Sequence, residues 1–239
     1  MVISLNAHAV TRSLAGIIVA LVLASLGGQL SKHVLGHDTL LGLVRLFDVN
    51  LEANVPAWYS SMTLLACGVL LGFIAWAKRQ AGDRFATHWT VLALIFVGLS
   101  IDEAAAVHDL FYHLRESWPN MGALYRVAWV IPGAVFVLIV GVAYFRFFLA
   151  MHAFHRRHFA LAGLLYVGGA LGMEIVGSYL RYYDLVEVGR DYVLVLTVEE
   201  TLEMAGMLVF LRALLLYLSA EVGPVRIEWP SGSSAGPPA

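Results

Sequence analysis

Six long runs of apolar residues, separated by polar stretches, divide the chain. They fall at about 13–30, 57–77, 89–113, 124–148, 159–180 and 192–218. As a helix, each is long enough to cross a hydrocarbon core roughly 30 Å thick. None shows the alternation of a barrel strand. The pattern therefore predicts an all-α fold, a polytopic transmembrane bundle of six helices over residues 1–220, and excludes a β-barrel. Residues 221–239, rich in Gly, Ser, Pro and Ala, are expected to be a disordered cytoplasmic tail. Arg12 before the first run is also how a signal peptide begins. The length of the run, and the even number of spans it completes, favour a retained helix. The connection 31–55 holds a short amphipathic piece, Leu40 to Phe47, of the kind that lies at a membrane interface. Pro56 suits the first turn of the second helix. Trp58 and Tyr59 fall where an aromatic belt belongs, and Pro132 with Gly133 predicts a kink in the fourth helix.

Composition agrees with the pattern. Of the 239 residues 60% are hydrophobic and only 13% are charged, with a mean hydropathy of +0.77. Soluble domains carry about 25% charged residues. The first partner of the chain is therefore the lipid bilayer. No basic run tracks a nucleic-acid backbone, and no Gly-rich phosphate loop is present. Cys67 stands alone, so neither an intrachain disulfide nor a thiolate metal site is available. Ser60, Ser61 and Ser100 lack the surroundings of a nucleophile elbow.

Charge then orients the bundle. Lys78, Arg79 and Arg84 follow the second run, and Arg146, Arg156 and Arg157 mark the end of the fourth. The other connections are balanced or acidic. The positive-inside rule places both termini and the two basic loops in the cytoplasm of a bacterial inner membrane, with the chain multi-pass. His152, His155 and His158 then belong to a solvated cytoplasmic loop.

Within that topology the ionisable residues are unusual. The stretch SIDEAAAVHDLFYH carries Asp102, Glu103, His108, Asp109 and His113 inside the third run. The fifth run carries Glu174, and the sixth carries Glu199, Glu200 and Glu203. A charge near the bilayer centre costs about 2.5–3.5 kcal/mol on insertion scales, so groups kept there mark function or pair with one another. All three sets fall at a similar depth, with Asp102 and Glu103 near mid-membrane and the others in the outer half. On a straight helix Asp102, Asp109 and His113 share one face, with Asp102 and Asp109 roughly 10 Å apart along the axis. Glu103 and His108 point to different sides of such a helix. Asp109 and His113 have a spacing that can chelate, and they also suit the outer interface as solvated groups. Glu199 equally suits the outer water. The glycines of GGALGMEIVG suit close helix packing.

Carboxylates with imidazole and no thiolate suit Fe, Mn or Zn. The expected ligands of such a divalent transition metal are Glu103, His108, Asp109, Glu174, Glu200 and Glu203. His108 and Asp102 are the candidate catalytic residues, with His108 as ligand or general base. The di-metal bundle pattern is only partly met, because Glu-x-x-His is absent. Metal binding, possibly catalytic, is the leading reading; the alternative is a path for a proton or small cation through the same acids, with Arg126 and Arg181 as candidate partners. A third reading is an accessory subunit of a membrane complex.

The pattern LSIDEAAAVHD, preceded by FDVNLEANVPAWYSSM and followed by VEETLEMAG, resembles a group of uncharacterised bacterial multi-pass membrane proteins. The similarity covers most of residues 40–218 and implies no activity. It implies that Asp48, Glu52, Asp102, Glu103, His108, Glu174, Glu200 and Glu203 belong to one set. Alkaline ceramidases also use Ser, Asp and His, but the His-x-x-x-His of their last helix is missing here.

Overall fold

The computed structural model describes residues 6–37, 39–111, 129–186 and 190–223. The described residues contain no strand, and six helical stretches are long and apolar enough to span a membrane. The chain is a multi-pass helical bundle. Helix α1 (Ala7–Val34) starts at Asn6, whose side chain accepts from the His8 and Ala9 amides. A 3-10 turn (Leu40–Gly42) and the short α2 (Leu43–Phe47) follow. Then come α3 (Val55–Gln80), α4 (Ala86–Ala105), α5 (Val130–Ala150) and α6 (Ala153–Val167). A wide π turn (Gly168–Met173) joins α6 to α7 (Glu174–Tyr182), so the two act as one span. The last helix, α8 (Arg190–Tyr217), ends in a second wide turn, Leu218–Val222. The tail from residue 224 lies outside the described residues.

Several expectations change. The amphipathic piece packs on α1 through Val44 at Gly28, where an added Cβ would stand 3.4 Å from Val44 Cα, while Leu40, Leu41, Leu43 and Leu46 stay exposed. Tyr59 is no belt residue. It is buried beside Leu64 and Met204, and its hydroxyl donates to the Leu14 carbonyl at 3.4 Å. Trp58 keeps an exposed ring. Pro132 sits in the first turn of the described α5, where its missing N–H leaves no bond unmade, so it makes no kink within the described helix. His155 is buried rather than solvated. It lies on the Tyr217 ring at 5.0 Å and 3.9 Å from Glu221, while His152 is exposed.

Lipid tails are as apolar as leucine, so helix pairing here rests on close packing and hydrogen bonds. Helices α3 and α4 pack along most of their length. Gly68 lets them touch, since its Cβ would meet Val97 Cγ2 at 3.1 Å. Near the acid-bearing ends, Ser61 Oγ donates to the Ser100 carbonyl at 2.8 Å, and Ser100 Oγ donates back to the Ser61 carbonyl at 2.9 Å. Both residues are buried, so the exchange is a polar clasp with no water to replace it. Ser100→Ala is expected to lower stability by about 1 kcal/mol, read as an earlier thermal transition of the purified protein in detergent. An unchanged transition would show the clasp to be incidental.

Helix α5 is attached differently. Phe147 anchors one end against Phe85, His88 and Trp89, and the Tyr144 hydroxyl donates to the His88 carbonyl at 2.8 Å. Gly133 lies against Leu171 of the wide turn at the other end. Between these two points α5 stands off from the bundle, and a cavity of about 1360 Å³ fills the gap.

Candidate functional site

The helix of the third run is interrupted within its described residues. Helix α4 ends at Ala105, and Ala106 turns left-handed at φ 50° before a 3-10 turn, Val107–Asp109. Alanine is the strongest helix former, so local propensity would carry the helix through Ala104–Ala106. A side chain overrides it. Asp102 Oδ1 accepts the His108 backbone N–H at 2.7 Å, while the Asp102 carbonyl accepts the Ala106 N–H. A left-handed residue with a Cβ costs about 1–2 kcal/mol, and strain of this kind gathers at functional sites. Ala106→Val is expected to be strongly disfavoured there and Ala106→Gly to be tolerated. Comparing the two variants' thermal transitions tests this; equal effects would argue against a strained turn.

The turn folds His108 back over the helix it left. Its Nδ1 stands 3.3 Å from Asp102 Oδ2, and its Nε2 stands 3.4 Å from Glu52 Oε1. The ring also lies against Trp129, with centroids 5.4 Å apart. Glu52 reaches this position because the loop before α3 is built around Asp48. That carboxylate accepts from Gln29 Nε2 at 2.7 Å and from the Asn50 amide, and Asn54 Nδ2 donates to the Asp48 carbonyl at 2.6 Å. Asn54 then caps α3 by accepting the Ala57 N–H. Glu103 and His108 would point to different sides of a straight helix, but the break at Ala106 lets both line the same cavity.

Glycines bring the other acids in. An added Cβ on Gly169 would stand 2.8 Å from Glu203 Cγ and 2.9 Å from the Glu199 carbonyl. On Gly206 it would stand 2.6 Å from the Tyr166 N. The wide turn and α8 thus touch backbone to backbone, as the glycine run suggested. This sets Glu174, at the end of the wide turn, against Glu199. Glu199 does not face water. It is only 7% exposed, and its Oε2 finds no hydrogen-bond partner among the described residues.

Asp48, Glu52, Asp102, Glu103, His108, Glu174, Glu199, Glu200 and Glu203 all line the one cavity. Among its described lining residues the cations are Lys32 and Arg45. Arg181 stacks on Tyr192 at 4.9 Å and exerts its field on Glu174 from outside the lining. The acids share the space without converging as ligands: among the described residues, no three His, Cys, Asp or Glu side chains are arranged to hold a metal ion. The Asp109 side chain, His113 and Arg126 lie outside the described residues. Two lining residues were not anticipated. Tyr166 stands among Glu203, Glu103 and Asp102, and Trp129 covers His108. An apolar run hides a tyrosine of this kind, and only the close approach at Gly206 points to it.

A family model matches residues 14–218. The chain belongs to the family described as Domain of unknown function (DUF8692). The DUF8692 segment contains every acid that lines the cavity, from Asp48 to Glu203. No match was found among curated proteins or among solved structures.

Proposed function

We infer that the protein moves protons or small cations through the acid-lined cavity. One observation carries this reading: the two ring nitrogens of His108 face two different carboxylates, Asp102 and Glu52. Neutral imidazole presents a donor on one nitrogen and an acceptor on the other, so it can pass a proton between groups on either side. Glu103, Glu200 and Glu203 extend the relay into the bundle. An acid-rich, cation-poor cavity is neutralised by protons or by a bound cation, which makes exchange between the two its natural chemistry. The orientation follows the basic loops: the Glu52 end faces outward, and both termini face the cytoplasm of a bacterial inner membrane.

The test is flux. Proteoliposomes carrying an imposed pH gradient, with a pH-sensitive dye inside, should dissipate it faster than empty vesicles. Equal rates would remove the reading.

A second reading, a metal site, is favoured by Glu199, which lines the cavity beside Glu174 and has one buried oxygen without a hydrogen-bond partner among the described residues. Glu103, Glu174, Glu200 and Glu203, with His108, would supply hard donors for Fe, Mn or Zn. A resident metal would activate water or oxygen there. Elemental analysis of the purified protein decides it: a stoichiometric metal that Glu203→Gln removes supports this reading, and a metal-free protein rejects it.

A further inference from the structure

The cavity has two unlike arms. At one end stand the acids. Away from them the wall is made by Phe96, Val140, Tyr144, Phe147, Phe159 and Phe210. Its volume of about 1360 Å³ exceeds the ~300–1,000 Å³ of common small-ligand pockets. A proton or a bare metal ion uses only the acidic arm and leaves the apolar arm unexplained. Helix α5 forms one side of that arm yet buries little of itself. Phe136 is 45% exposed and Val137 37%, although both line the cavity. The space is therefore walled on one side by a helix thinly packed against the rest of the described bundle.

The acidic arm carries its own sign of a ligand. Glu199 is buried and lines the cavity, and one of its oxygens is unsatisfied among the described residues. Glu174, Glu200 and Glu203 line the same end, against Lys32 and Arg45 as the cations among the described lining residues, so a cationic head group supplies the charge complement this end lacks. Apolar surface then continues from that point along the inner wall. We propose that the cavity binds a cationic amphiphile, a hydrophobic amine or quaternary ammonium. Its charged head sits at Glu174, Glu199 and Glu203, and its chain lies in the apolar arm against α5. Charge complementarity selects the head, and the length of the arm selects a chain. An anionic or neutral amphiphile of equal length would bury the same apolar surface but leave the acids uncompensated. This inference deepens the reading of the cavity as a cation path, and names the organic cation that would compete with protons for the same carboxylates.

Binding of radiolabelled tetraphenylphosphonium to the purified full-length chain in nanodiscs tests it. Saturable binding is expected, displaced by dodecyltrimethylammonium. Dodecyl sulfate should not displace it, and tetramethylammonium, a head without a chain, should do so only at far higher concentration. Glu199→Gln, which keeps the shape and removes the charge, should weaken binding about tenfold or more. Val140→Trp, which fills the apolar arm, should block tetraphenylphosphonium and act independently of any change at the acids. Absence of saturable binding, equal displacement by dodecyl sulfate, or wild-type affinity in both variants would overturn the proposal. Proton flux measured in parallel separates the two ideas. Binding without flux removes the relay and leaves this site standing, whereas flux without binding removes this site alone.

Discussion

Gly206→Val is expected to prevent the bundle from assembling, with loss of monodisperse protein after extraction. The reason is distance. A Cβ at Gly206 would lie 2.6 Å from the Tyr166 N and 2.9 Å from its Cα. Both are backbone atoms at the end of α6, just before the wide turn, so no rotamer change relieves the overlap. Overpacking a core typically costs about 1–3 kcal/mol when side chains can shift. Here two helices must separate along a contact that also includes Gly169 against Glu203, so the loss should reach about 3 kcal/mol or more. Gly141→Val is the control. Nothing lies within 4 Å of the Cβ that would be added there, so that variant should extract and migrate as wild type. Equal behaviour of the two variants would mean that the contact between α6 and α8 is not what holds the acids in place.

Six apolar runs appear as helices because burial in lipid imposes length and leaves backbone groups no other partners. The acids of the third, fifth and sixth runs could be assigned to one level because depth follows from topology and a fixed rise per residue. Rotation about each helix axis was not legible in that way. Glu199 was expected to suit water, yet the glycine contact at 169 turns its face of α8 toward Glu174. The wide turn Gly168–Met173 adds to this, because a π turn resets the face that every later residue presents. Nothing in the hydropathy of GGALGM distinguishes it from an ordinary helical turn. His155 and Tyr59 missed for a related reason: a polar or interfacial residue was placed by its depth, while the neighbour that buries it comes from a distant helix.

The break at Ala106 is the sharpest of these cases, and it decides the function test with the largest effect. In Asp102→Ala the carboxylate that accepts the His108 N–H is gone, and what remains is an unbroken run of strong helix formers from Glu103 to Ala106. Helix α4 should then continue. On a straight helix His108 sits about 240° around the axis from residue 102, so the ring would leave Glu52 and the cavity together. Asp102→Asn differs in one respect that matters. Its amide oxygen still accepts the His108 N–H and can keep the turn, while the charge beside Nδ1 is lost. General acid–base partners contribute about 10²–10⁴-fold to proton transfer. Proton flux through proteoliposomes should therefore fall by about 10²-fold or more in both His108→Ala and Asp102→Ala. It should fall less in Asp102→Asn. Hydrogen exchange at the amides of 103–109 supplies the structural half of the measurement. Protection should rise in Asp102→Ala, where the helix extends, and remain as in wild type in Asp102→Asn. If the two substitutions at 102 reduce flux equally while only one extends the helix, the charge of Asp102 matters and the turn does not. If neither reduces it, protons do not pass through His108.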